Sequence, residues 1–313
     1  MSQKKLAFVF PPFASDYPDD PFSNLTGFDD CFRKYLSRAA EFADPDLITF
    51  DICSRPFLDD ELKTQYISYI QACALVSWFR NKGVVPAYCS GYSMGIYAAL
   101  FQSEVISFLD GLVLIRQAYN EIKKVTGKQA FGMCAIIGLN QDDLEQLAKK
   151  AKLNVRLAIQ NSVCSFSISG PGEDISQLTE SAQKEGALST RVLNVSVPYH
   201  SDFLKETATG FTDFVNQMQF RSPKMPIISL IDQEILLEEH ALKEEVVRNL
   251  FTSLNWYETQ LYLQELGVTR FVECGSGKGI VKNARFIEGD AISYTANSFT
   301  AFLDTNTDLS KVY

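Results

Sequence analysis

Short apolar runs and amphipathic stretches alternate through the first third of the chain. Lys5 to Phe10 and Leu47 to Asp51 read as strands, and Thr64 to Phe79 reads as a helix. Gly83 to Ser90 is an apolar run suited to a buried parallel strand, Met94 to Phe101 starts a helix, and Leu109 to Val125 forms another. Ser107-Phe-Leu-Asp110 is a capping-box-like start for that last helix, and Gly127 is its stop signal. From Ala130 the rhythm changes to strand (Phe131 to Gly138), helix (Gln141 to Lys152), strand (Val155 to Gln160), strand (Ser165 to Ser169), helix (Asp174 to Gly186) and strand (Thr190 to Val195). That βαββαβ order is the split-βαβ order of a ferredoxin-like unit. The α/β alternation then resumes with helices at Phe203 to Met218, Ala241 to Thr252 and Trp256 to Glu265, strands at Met225 to Leu230 and Arg270 to Glu273, and a last segment at Ile280 to Phe286. The pattern predicts an α/β protein with helices on both faces of a sheet and a small domain at 128–197 inserted into a larger one formed by 1–127 and 198–313. The final stretch is polar and is expected to be a surface tail.

The chemistry concentrates in two short segments. Gly91-Tyr-Ser-Met-Gly95 lies between a predicted strand and a predicted helix, the context a nucleophile elbow requires. The glycines let the turn close without a Cβ clash, and the helix start offers backbone N–H groups to an oxyanion. A serine needs a base at neutral pH, and the chain has two histidines, His200 and His240. His240 lies in Leu236-Leu-Glu-Glu-His240, a charged segment that reads as surface. His200 stands in Val197-Pro-Tyr-His-Ser201, where it is either a base or a histidine satisfied by a backbone carbonyl. Its place far from the C-terminus departs from the Ser–acid–His order of an ordinary α/β-hydrolase. Arg116 rises from an apolar stripe of Leu112, Val113 and Tyr119, and its guanidinium pairs with a protein carboxylate, reaches to water, or awaits a substrate carboxylate.

Composition narrows the class. A chain of 313 residues with 46% hydrophobic content can bury a full core. Seven cysteines, scattered singly without C-x-x-C spacing, argue for reduced thiols in the cytoplasm and against a disulfide framework or a metal site. The apolar run after Lys4 and Lys5 stops at Pro11-Pro12 and is followed by acidic residues from Asp16 to Asp20, so it reads as a first strand rather than a signal peptide. No apolar run approaches the roughly 18 residues that span a bilayer. A net charge of −9 disfavours nucleic acid as a partner. The basic groups Lys123-Lys124 with Lys128, and Lys278, Lys282 and Arg285, remain as local anion-facing patches or solvated faces. Gly275-Ser-Gly-Lys-Gly279 lacks the spacing of a P-loop and is not read as a nucleotide site.

Taken together, Phe8-Val-Phe-Pro11, the elbow, the arginine helix, the inserted unit, Val-Pro-Tyr-His and Glu273-Cys-Gly-Ser-Gly-Lys278 resemble the malonyl-CoA:acyl carrier protein transacylases and the related acyltransferase domains of polyketide synthases. The resemblance covers nearly the whole chain. It implies an α/β-hydrolase-like large domain carrying a ferredoxin-like small domain, with Ser93 acylated, His200 the general base and Arg116 gripping a malonyl carboxylate. It also implies that backbone N–H groups of Phe13 and Met94 form the oxyanion hole and that a backbone carbonyl orients the histidine. The matching segment is Leu250-Phe-Thr-Ser-Leu-Asn-Trp256, with Thr252 as the expected carbonyl. Tyr92, Met133, Asn161 and Tyr199 are expected around the substrate.

The departures are specific. Phe10-Pro-Pro-Phe-Ala14 stands where the family has Phe-Pro-Gly-Gln-Gly, Tyr92 replaces the histidine before the nucleophile, and Ile96 replaces a glutamate. The implied partners are malonyl-CoA and an acyl carrier protein, with no cofactor, no metal, no nucleic acid and no membrane, and a monomer in the cytoplasm. Two other readings stay open: an acyl hydrolase that clears carrier proteins, and a non-catalytic scaffold that binds them.

Overall fold

β1 (Lys5–Phe10) is buried at five successive positions, the unbroken apolar pattern of a strand covered on both faces. The computed structural model describes residues 5–13, 21–22, 24–51, 59–127 and 129–305. Lys4, Ala14, Asp16 to Asp20, Cys53, Lys128 and the residues beyond 305, all used in the sequence reading, lie outside the described residues. Next come α1 (Phe28–Phe42), α2 (Glu61–Asn81), β2 (Tyr88–Gly91), α3 (Gly95–Gln102) and α4 (Phe108–Thr126). α2 is buried on nearly every side, from Thr64 through Phe79, as befits a helix enclosed by others. α4 starts with a complete capping box between Ser107 and Asp110.

β3 (Phe131–Ile137), α5 (Gln141–Ala151), β4 (Arg156–Ser162), β5 (Ser165–Pro171), α6 (Gly172–Lys184) and β6 (Ser189–Val192) follow in the βαββαβ order. Their strands pair antiparallel as β6-β3-β5-β4, and Cys134, Ile136, Phe166, Ile168, Ile175 and Leu178 pack together beneath the two helices. The chain continues through α7 (Thr207–Gln217), β7 (Ile227–Ile228), β8 (Ile235–Leu236), α8 (Glu239–Arg248), β9 (Leu254–Asn255), α9 (Trp256–Glu265), β10 (Val268–Glu273), α10 (Gly279–Ala284), β11 (Ile292–Thr295) and α11 (Ala296–Thr305). The large sheet runs β11-β10-β1-β2-β7-β8, parallel up to the β7–β8 hairpin. β9 pairs parallel with β4 at the edge of the small sheet, and its Asn255 N–H donates to the Leu230 carbonyl just after β7, so a two-residue strand from late in the chain ties the sheets together.

Three expectations are corrected. Leu47 to Asp51 is not a strand: a 3₁₀ turn occupies Pro45–Thr49, with proline at its first position and Asp44 accepting the Asp46 N–H. The expected helix from Phe203 to Met218 is split into a 3₁₀ turn at Asp202–Leu204 and α7. Much of the supposed polar tail is α11, whose Phe299 is fully buried against Phe79, Tyr294 and Phe302.

Candidate active site

The C-terminal ends of three adjacent parallel strands converge on one spot. β1 runs into Pro11-Pro12-Phe13, β2 into Tyr92-Ser93, and β10 into Cys274-Gly275, a convergence typical of ligand sites in open α/β sheets. Backbone hydrogen bonds lace them: Tyr92 N–H donates to the Phe10 carbonyl at 2.9 Å and Cys274 N–H to the Val9 carbonyl at 2.8 Å.

Ser93 sits at φ 58°, a left-handed conformation that is rare and costly for a residue with a Cβ. The flanking glycines make the turn possible by close approach rather than by positive φ. A Cβ on Gly91 would collide with the backbone of Ile96, and one on Gly95 with the Phe10 carbonyl. α3 begins immediately after the serine, and the Met94 backbone N–H has no partner among the described residues.

His200 reaches the serine from a separate loop. Its Nε2 lies 2.7 Å from Ser93 Oγ, and its Nδ1 lies 2.6 Å from the Asn249 carbonyl. A carbonyl can only accept, so Nδ1 carries the proton and Nε2 presents its lone pair to the hydroxyl. The orienting carbonyl is therefore that of Asn249 rather than of Thr252. Asn249 lies one residue before the expected Leu250–Trp256 segment: α8 ends at Arg248, and the free carbonyls of a helix end fall there, where Thr252 N–H is already closing back onto the Arg248 carbonyl. His200 N–H also donates to the Leu250 carbonyl at 2.9 Å. Burial pushes the imidazole pKa down to about 4, with the Asn249 hydrogen bond acting the other way.

A cavity of about 200 Å³ adjoins the dyad. Pro12, Phe13, Tyr92, Met133, Ile159, Ser167, Leu193, Val195 and Tyr199 line it together with Ser93 and His200. Tyr92 donates to Asn161 Oδ1 at 2.7 Å, joining the elbow to β4, and burial raises its phenol pKa. Tyr199 donates to Glu61 Oε1 at 2.6 Å, accepts from Gln65 Nε2 at 3.1 Å and meets Phe13 edge-on at 6.3 Å. Sequence pattern did not flag Glu61 or Gln65, because polar residues at the start of a long helix read as surface.

Arg116 is exposed on α4 and does not line this cavity. It has no ion-pair partner among the described residues, whereas Lys123, two turns on, lies 3.7 Å from Glu61. Its charge still acts on the buried Tyr66, whose pKa burial raises to about 12 and Arg116 lowers. His240 is exposed, as read from sequence, in a groove between α7 and α8. The described cysteines are free, and no cluster of potential metal ligands occurs among the described residues.

An elbow serine in hydrogen-bond contact with a neutral histidine, at the mouth of an apolar cavity, is an arrangement able to support acyl transfer through the serine. Comparison with known proteins narrows this. The acyl transferase domain family matches residues 54–275, and the chain belongs to that family. A malonyl CoA-acyl carrier protein transacylase of Staphylococcus aureus (strain MW2) is 26% identical over 293 residues, covering 89% of this chain and 92% of the relative. An acyl-carrier-protein S-malonyltransferase from Burkholderia pseudomallei 1710b superposes with a TM-score of 0.85 at 26% identity, over 96% of this chain and 99% of that one. The fold is also that of a malonyl-transacylase solved with its type II polyketide synthase acyl-carrier protein, with a TM-score of 0.87, 23% identity and coverage of 97% and 100%. The mixed α/β, two-sheet architecture is thus that of the malonyltransferases.

Proposed function

We propose that this acyltransferase moves a malonyl group from coenzyme A to the phosphopantetheine thiol of an acyl carrier protein, through an ester on Ser93, for fatty-acid or polyketide synthesis. The observation that carries the reading is the 2.7 Å contact between Ser93 Oγ and the Nε2 of a histidine held by a backbone carbonyl. Ser93 Oγ attacks the thioester carbonyl as its proton passes to His200 Nε2. The Met94 and Phe13 N–H groups receive the oxyanion, and collapse expels the CoA sulfur, which takes the proton from His200. The carrier thiol then gives its proton to His200, attacks the Ser93 ester and restores the hydroxyl.

Arg116 is the proposed partner of the malonyl carboxylate, supported by its lack of a protein carboxylate. Tyr92, Met133 and Tyr199 shape the space around the acyl group, and Asn161, which does not line the cavity, bears on it through its hydrogen bond to Tyr92. The reading requires no cofactor and works as a single cytoplasmic chain, with no helix among the described residues long and apolar enough to cross a membrane. The proposed division is a catalytic body of 1–127 with 198–313 and a small body of 128–197.

Hydrolysis of neutral acyl groups from carrier proteins is the second reading. It is favoured by the apolar lining of the dyad cavity and by the absence of Arg116 from that lining. Burst kinetics with malonyl-CoA and acetyl-CoA, with and without phosphopantetheinylated carrier, separate the two. Transfer predicts that carrier speeds loss of the enzyme-bound malonyl group, and that Arg116→Ala slows malonyl loading at least about ten-fold more than acetyl loading. Equal loss to water without carrier, with no effect of Arg116→Ala, contradicts it.

A further inference from the structure

The carbonyl that orients His200 belongs to a residue whose own side chain does not hold it in place. Asn249 is 4% exposed, and its side-chain Nδ2 has no hydrogen-bond partner. Its backbone N–H closes onto the Glu245 carbonyl at 2.9 Å. The position of the carbonyl therefore depends on how α8 is fastened one turn earlier.

That fastening is unusual. Glu245 is 4% exposed on the inner face of α8, where an unpaired carboxylate is costly. Its Oε2 accepts from Ser229 Oγ at 2.8 Å, and its Oε1 accepts from Leu230 N–H at 3.3 Å. Ser229 Oγ in turn accepts from the N–H groups of Ile231 and Asp232, both at 3.0 Å, so the carboxylate grips the whole turn that follows β7. The turn is anchored on its far side: the Ser229 carbonyl accepts from Thr259 Oγ1 at 3.3 Å, and the Leu230 carbonyl from Asn255 N–H at 2.8 Å. On the partly exposed side of the helix, Arg248 grips Asp232 through both guanidinium nitrogens at 2.6 and 3.0 Å. α8 is thereby pinned to the sheet by a buried carboxylate four residues before the carbonyl that holds the base.

We propose that Glu245 is a positioning residue for the dyad: it locks α8 to the β7–β8 turn so that the Asn249 carbonyl stays on His200 Nδ1. The proposal rests on the acyl-transfer reading for its consequence in rate, though not for its geometry. Where a triad places an acid directly on the histidine, this chain places a helix-end carbonyl there and the acid one turn behind it, holding the helix.

With two histidines in the chain, protein labelled with ¹⁵N-histidine and carrying His240→Gln reports His200 alone. The hydrogen-bonded Nδ1–H should appear as a protected downfield resonance. In Glu245→Ala that resonance should move upfield or exchange away while circular dichroism keeps the native fold. Acylation from malonyl-CoA should fall about ten- to hundred-fold, the scale of a misplaced catalytic group. Ser229→Ala, which removes the donor and leaves the carboxylate, should show the same signature more weakly and carries the test if Glu245→Ala fails to fold. In the double variant the losses should fail to add. An unchanged resonance and rate in folded Glu245→Ala, or in Ser229→Ala where Glu245→Ala does not fold, overturns the inference, as does full additivity. A protected resonance lost in Glu245→Ala, in an enzyme that never acylates, sustains the positioning role and sinks the acyl-transfer reading.

Discussion

Ser93 and His200 share the same strained backbone, each at φ 58°, and the chain holds them there in opposite ways. The serine is held locally. Gly91 and Gly95 let β2, α3 and β1 close around it, so the strain is contained in five consecutive residues. The histidine is held from afar: its imidazole leans on Asn249, its N–H on Leu250, and those carbonyls stand at the end of a helix about fifty residues further along the chain. A nucleophile must be exposed at a fixed point on a rigid element, which a turn between strand and helix supplies. A base must be aimed and kept neutral, which needs burial and a fixed acceptor from another part of the fold.

The largest way to break this pair is to remove either member. Ser93→Ala should abolish the acyl-enzyme, and His200→Ala should cut the acylation rate by about a hundred- to ten-thousand-fold, read by rapid-quench mass analysis. Gly95→Ala attacks the local half. The added methyl meets the Phe10 carbonyl, so the elbow must open, at a cost of about 1–3 kcal/mol in thermal unfolding together with loss of acylation.

The buried imidazole gives a pH test of the distant half. With its pKa lowered to about 4, His200 is neutral through the physiological range, so acylation should stay flat down to about pH 5 and fall below pH 4. The unfolded chain takes up this proton nearer the ordinary 6.5, so the native state loses stability as pH drops from 6.5 towards 4, by up to about 3 kcal/mol, and loses no more from this group below that. Denaturant midpoints against pH for wild type and His200→Gln should differ in slope only in that window. The smallest effect is expected at the seam between the sheets. Tyr92→Phe deletes the donor to Asn161 and should cost about 1 kcal/mol in unfolding free energy.

The same contrast explains what could be read from sequence. The strand–turn–helix setting of Ser93, the capping box at Ser107 and the βαββαβ succession of the small sheet's elements are encoded in neighbouring residues, and each follows from pattern and spacing. The small domain was legible because its strands are joined by hairpin and crossover steps of ordinary length. What depends on tertiary contact was not. β9 is two residues long and has no period to detect. Phe299 stands in a stretch that reads as a polar surface tail, and the fold buries it against Phe79 and Tyr294. Asn249 lies three residues from the expected Thr252 because the family resemblance implies an orienting carbonyl while the sequence does not say where the helix stops, and Glu245 reads as one more charge in a charged helix. Arg116 was drawn as rising from an apolar stripe, and the fold leaves it exposed because helix α4 turns that position outwards.

Peptide mapping of enzyme quenched within milliseconds of mixing with malonyl-CoA tests the central claim most directly. The account predicts a malonyl mass on the peptide bearing Ser93, absent in Ser93→Ala, trapped at a much slower rate in His200→Ala, and discharged when phosphopantetheinylated carrier protein is added. A malonyl group found on another residue, or none on an enzyme whose Ser93–His200 contact is intact, would contradict it.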